Sequence, residues 1–212
     1  MQVKLLHSTP LWICSAAIRR CWASEAKSDT FINDRPASID RDGAIVCGTK
    51  DKELIERIGN KLKHKSTLRH VTYIFDCSDV STKTLLALTR HCVGKDISVE
   101  STRYTTSKRS DKLSFTETPN PAINKSLEVI MDLVQGHIQA GHSNDDISML
   151  LPQAYNYSFI MTMNIQSLQH FLELRTKRDA HYDIRKLANA LFEQIPEDHS
   201  YLFKHYLSTD DV

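Results

Sequence analysis

The 212-residue chain has no apolar run long enough to cross a bilayer, no close pair of cysteines and no excess of either charge. Each absence removes a class of function. A spanning helix needs about 20 consecutive apolar residues. The five cysteines (Cys14, Cys21, Cys47, Cys77 and Cys92) are odd in number and include no C-x-x-C pair. Neither a disulfide framework nor a zinc site is therefore expected, and no metal is assigned. Lys and Arg number 27 against 26 Asp and Glu, a net charge of +1. No global field draws such a protein onto nucleic acid or a membrane. Any anion site must come from a few placed cations. The six glycines form no phosphate loop and no dinucleotide fingerprint, and there is no nucleophile elbow. The expectation is a reduced, cytoplasmic protein with no nucleic-acid or membrane partner.

The apolar fraction, 41%, can furnish a core. The length suits one domain over residues 1–212. Val3 to Leu6 reads as a short strand. Leu11, Cys14, Ile18, Cys21 and Trp22 recur at helical spacing behind Thr9, a candidate N-cap, and Pro10. A folded helix is preferred there over a targeting signal. Residues 24–48 are polar and aperiodic, a surface loop. Lys50 to Leu62 reads as a helix with Leu54, Ile55, Ile58 and Leu62 on one face. Val71 to Cys77 alternates as a strand, and Ser81 to His91 as a helix follows. Ser98 to Tyr104 reads as extended. Further helices are expected over Ala122 to Ala140, Ala154 to Leu174, Tyr182 to Ile195 and Ser200 to Leu207. The class is α+β, a small sheet with a helical bundle.

Three blocks concentrate basic and hydroxyl residues. The first is His64-Lys65-Ser66-Thr67-Leu68-Arg69-His70. Two histidines six apart do not share a helix face, which argues against a metal; composition alone leaves a structural connection open. The second runs from Arg90-His91-Cys92 to Ser101-Thr102-Arg103-Tyr104. On an extended segment Ser101 and Arg103 share a face and can meet one anion, although a solvated polar strand stays equally open. The third is Leu151-Pro152 through Asn164-Ile165-Gln166-Ser167 to His170 and Arg175. Its polar group at each turn suits a helix lining a cleft, or an amphipathic helix whose polar face meets water.

The order of these blocks resembles the flavin-dependent thymidylate synthases. That family carries H-x-S-x-x-E-H, then R-H-R-x-x-S-x-N-E-x-S-x-R, then an L-P-containing segment with N-x-R-S-L and L-R. This chain reads HKSTLRH, RHCVGKDISVESTRY and LPQAYNYSFIMTMNIQSLQHFLELR. Its opening and its ending are similar to a branch found in epsilon-proteobacteria, which also replaces N-E by Ser-Val, here Ser98-Val99. The resemblance implies that family's fold and a homotetramer with shared sites. It implies methyl transfer from methylenetetrahydrofolate to dUMP, with FAD as cofactor and NADPH as reductant. His64 and Ser66 would lie on the flavin and folate side. Arg90 and His91 would contact flavin and nucleotide. Ser101, Thr102 and Arg103 would hold dUMP, Arg103 by its phosphate. Asn164, Gln166 and His170 would line the flavin. Arg175 would stabilise the ionised uracil ring as the catalytic residue.

The chain departs from the pattern at several places. Arg69 stands for the glutamate of the first motif, Cys92 for the second arginine of R-H-R, Gln166 for the arginine of N-x-R-S-L and His170 for an asparagine. Ser148 stands where some members carry a basic residue. The second block is one residue longer, with Gly94 available to absorb it. Lys95 and Arg69 are the candidates to replace lost charge. These departures keep two alternatives in view: a pyrimidine-nucleotide hydroxymethylase, and a homologue that binds flavin and nucleotide without catalysis.

Overall fold

The computed structural model describes residues 1–208. Along the chain, β1 (Gln2–Ser8) leads into α1 (Trp12–Cys21), a hairpin of β2 (Phe31–Ile32) and β3 (Arg35–Pro36), and α2 (Thr49–Ile55). Then come β4 (Thr72–Ser81), α3 (Thr82–Thr89), β5 (Lys95–Val99) and α4 (Thr102–Thr105). The remainder is α5 (Pro121–Gln139), α6 (Asn144–Ser148), β6 (Asn156–Asn164), α7 (Ile165–Arg175), α8 (Tyr182–Glu193) and α9 (Glu197–Ser200). The larger sheet is antiparallel throughout, in the order β1-β4-β6-β5.

One face of this sheet is apolar because its strands alternate. Tyr73, Phe75 and Cys77 of β4 and Phe159, Met161 and Met163 of β6 are all buried. They join one core with Cys14 and Ile18 of α1, Leu168, Phe171 and Leu172 of α7, and Ile184, Leu187 and Leu191 of α8. Burying Phe75, Phe171 and Phe203 contributes about 1.5–3 kcal/mol each. The polar tip of the fully buried Tyr73 is satisfied: its hydroxyl meets His199 Nδ1 at 2.9 Å. Burial holds that imidazole below its ordinary pKa, hence neutral.

Several local expectations are corrected. The expected helix Ala154 to Leu174 is half strand: β6 occupies Asn156–Asn164 and α7 begins only at Ile165. Phe159, Met161 and Met163 follow period two, and pairing between β4 and β5 captures the segment. The helix over Lys50 to Leu62 widens into a π turn at Glu56–Lys61. That turn breaks the register, so Leu62 leaves the apolar face and is 58% exposed. Ser200 to Leu207 is a turn and a short 3-10 segment, Lys204–Tyr206, after α9. Thr9 does not cap α1. The helix begins after Leu11, and the Thr9 hydroxyl instead shares a hydrogen bond with that of Thr72.

Residues 24–48 run over the surface, yet a buried carboxylate anchors them. Asp51 of α2 is fully buried and pairs with Arg19 of α1, whose Nε donates to Oδ1 at 2.6 Å. The hydroxyls of Ser28 and Thr30 each donate to Asp51 Oδ2 at 2.6 Å. Burial alone would raise this carboxyl's pKa; the hydroxyl donors and the guanidinium outweigh it and lower the pKa. The segment thereby forms one wall of a groove of about 800 Å³, opposite Ile13 and Ala17 of α1 and reaching His70. No helix among the described residues is long and apolar enough to cross a membrane.

Candidate functional site

Helix α7 organises the site. Asn164 caps it, its side-chain oxygen accepting from the Ser167 N–H at 2.9 Å. The loop that leads from α3 into β5 packs directly on this start. The Gly94 carbonyl accepts from the Asn164 N–H at 3.2 Å, and the Ser167 hydroxyl donates to the Val93 carbonyl at 2.6 Å. Gly94 has φ +66°, and a Cβ there would collide with the Asn164 amide and the Ser167 hydroxyl. The loop thus turns at a position that only glycine fills without strain.

His91 lies across the middle of α7. Its ring stands edge-on to Phe171, with centroids 4.9 Å apart, and to His170 at 5.9 Å. From the C-terminal turn Arg175 Nε donates to His91 Nε2 at 3.0 Å. A guanidinium only donates, so Nε2 carries no proton and the ring is neutral. Burial first, then the charges of Arg175, His170 and Lys95, push the His91 pKa down to about 4. The unfolded chain binds a proton here below pH about 6.5, while the folded chain refuses it until about pH 4. The stability from this group is complete above pH 6.5 and is lost as the pH falls through that window. The melting temperature is expected to drop between pH 6.5 and 4, with a shallower slope in His91→Gln. An identical slope in the variant would show that the fold does not hold this ring neutral.

At the other end of α7, about 14 Å away by helical rise, Gln166 faces Arg69. Arg69 Nε donates to Gln166 Oε1 at 2.6 Å. Both residues sit at the solvent boundary, Arg69 exposed and Gln166 half-buried. His64 and Ser66 lie on the same connection as Arg69 and are exposed. Arg90 is exposed at the C-cap of α3, one residue before His91. Cys92 is exposed beyond it.

Ser101, Thr102 and Arg103 fall elsewhere, and the shared-face expectation is corrected. The strand ends at Val99, and Thr102–Thr105 is a helical turn. Ser101 precedes this turn in extended backbone while Arg103 lies inside it, so the two do not follow the alternation of a strand. Arg103 instead forks onto Asp145 of α6, with Nε to Oδ1 at 2.7 Å and Nη2 to Oδ2 at 3.1 Å. Ser148 lies on the same short helix, its hydroxyl donating to the Asp145 carbonyl at 2.7 Å. This cluster and the His91 cluster lie at opposite ends of β5, separated by roughly 13 Å of strand. The sequence offered no sign of Asp145 as a partner. Nor did it single out the neighbouring Glu100–Arg109 ion pair, in which the second Glu100 oxygen is buried without a hydrogen bond.

Among the described residues no three His, Cys, Asp or Glu side chains converge as a metal set. The site instead offers guanidinium, imidazole, amide and hydroxyl groups, donors suited to phosphates and to the edges of bases.

Comparison with known proteins identifies the family. Residues 4–199 match the family described as thymidylate synthase complementing protein. The flavin-dependent thymidylate synthase of Campylobacter jejuni is 37% identical, with 99% of each chain covered. That of Wolinella succinogenes is also 37% identical, over 96% of this chain and 97% of its own. The crystal structure of thymidylate synthase X from Helicobacter pylori with FAD and dUMP superposes with a TM-score of 0.84 at 31% identity, covering 98% of this chain and 99% of that one. A UMP/dUMP methylase from Streptomyces cacaoi, 18% identical with a TM-score of 0.71, shares the fold. The α+β arrangement built around α7 and the four-stranded sheet, and the full-length likeness to these enzymes, mean that the chain belongs to the flavin-dependent thymidylate synthase family.

Proposed function

We propose that this protein methylates dUMP to dTMP, taking the one-carbon unit from methylenetetrahydrofolate and reducing equivalents from NADPH, with FAD as bound cofactor. The observation that carries the reading is the His91–Arg175 contact beside His170 and Phe171 on α7. It pairs a fixed cation with a neutral imidazole against an apolar wall.

Arg175 takes the uracil edge. Only its Nε is engaged by His91, which leaves the outer nitrogens of the fork to meet developing negative charge on the ring. His91 fixes the orientation of that fork and, being neutral, does not compete for the anion. Phe171 backs the imidazole and excludes water from one side. The donor set along α7 fits FAD: Asn164, Gln166 and His170 would line it, with His64, Ser66, Arg90 and His91 approaching from the preceding connections. Bound flavin would supply the hydride that completes the methyl group.

Ser101, Thr102 and Arg103 would hold the nucleotide phosphate. For that, Arg103 must exchange Asp145 for phosphate; both side chains are exposed, so the existing pair is weak. The distance between this cluster and Arg175 supports a site completed by a second copy of the chain, in a homotetramer. The amino-acid composition supports a cytoplasmic location.

The test is direct. The purified protein is mixed with FAD, NADPH, methylenetetrahydrofolate and dUMP, and the nucleotides are read by mass spectrometry. A product heavier than dUMP by one methylene is expected. A product heavier than dTMP by one oxygen would replace methylation by hydroxymethylation, and unchanged dUMP would sink both.

A further inference from the structure

Two of the departures from the family pattern, Arg69 and Gln166, are 97 residues apart in the chain and yet in contact at 2.6 Å. Neither side chain is buried, so the contact is not needed to fill the core. The family pattern places a glutamate at the first position and an arginine at the second. Those two side chains on this backbone would meet as an ion pair with the guanidinium on α7. Here the guanidinium comes from the opposite side and the α7 residue accepts. The two departures are therefore one exchange, with the direction of the hydrogen bond reversed.

We infer that Arg69 is the cation of the flavin site in this protein, held in place by Gln166. The assignment rests on the proposed use of FAD and adds the residue that binds its anionic part. An arginine has five N–H donors. One is used by Gln166, and among the described residues the other nitrogens have no hydrogen-bond partner. Gln166 lies in the first turn of the eleven-residue α7, where the helix's own field also favours an anion. A diphosphate, with two or more oxygens in reach of one fork, is the ligand chemistry that this arrangement suits. Lys95, the other candidate for replacement charge, lies toward His91 instead.

The experiment is a double-mutant cycle read by FAD affinity, titrating the full-length protein and following quenching of flavin fluorescence. Arg69→Glu is expected to weaken FAD by at least about tenfold, through the loss of a charged hydrogen bond and the repulsion of a carboxylate set against the diphosphate. Gln166→Arg alone sets two guanidinium groups together and is expected not to tighten binding. The double variant Arg69→Glu/Gln166→Arg restores the family's polarity and is expected to return to within about threefold of the parent. FAD binding by Arg69→Glu equal to the parent's, or a double variant as weak as the sum of the singles, overturns the assignment and leaves the proposed function standing. Failure of the folded parent to bind FAD overturns the proposed function, and this inference with it.

Discussion

Arg175→Ala is expected to lower the rate of dTMP formation by about 10²–10³-fold, the scale of removing one preorganised donor from a charge-developing site. The residue is half-buried at the last turn of α7, so its removal leaves the core intact. Arg175→Lys is expected to recover little of the rate. An ammonium lacks the planar fork that holds His91 with one nitrogen and leaves others for the ring. The same variants carry an independent signature. Because the guanidinium is one cause of the depressed His91 pKa, its loss raises that pKa toward the ordinary value in an NMR titration. Arg175→Ala that keeps its rate within threefold would remove this residue from the chemistry.

Asp51→Ala is expected to destabilise the protein by about 3–5 kcal/mol, because Arg19 is left as an uncompensated buried charge. For a chain of this size that corresponds to a fall in melting temperature of about 10 °C. The loss includes the anchors of Ser28 and Thr30, so residues 24–48 are also expected to become protease-sensitive and the groove beside α1 to lose a wall. Replacing both partners, Arg19→Met with Asp51→Leu, is expected to be milder than Asp51→Ala, since no charge is stranded. Urea unfolding of the parent and the two variants decides the matter, and a single variant no less stable than the double would refute the reading.

Much of the fold was legible because strong periodicity survives tertiary packing. The helical spacing of Cys14 and Ile18 and the alternation of Tyr73, Phe75 and Cys77 became buried faces of α1 and β4. The segment from Ala154 was misread because its polar and apolar positions fit both periods until a strand on each side claimed it. The site divides in the same way. Motif order placed His91, His170 and Arg175, which the structure brings together. Contacts between distant segments had no local trace: Arg19 with Asp51, Arg69 with Gln166, and Arg103 with Asp145 join residues 32, 97 and 42 apart. Ser101 and Arg103 were placed on a strand that in fact ends two residues earlier, at Val99.

The distribution of thiols has a practical consequence for spectroscopy. Cys14, Cys47 and Cys77 are buried, and burial pushes their pKa values to about 12, 11 and 12. Thiolate, the species that alkylating dyes attack, is scarce at these three positions near neutral pH. Cys21 and Cys92 are exposed. In a Cys21→Ser background a maleimide fluorophore would therefore attach at one place, next to His91. A dye there reports on the surroundings of His91 from inside the loop that Gly94 turns, without any cysteine having to be introduced.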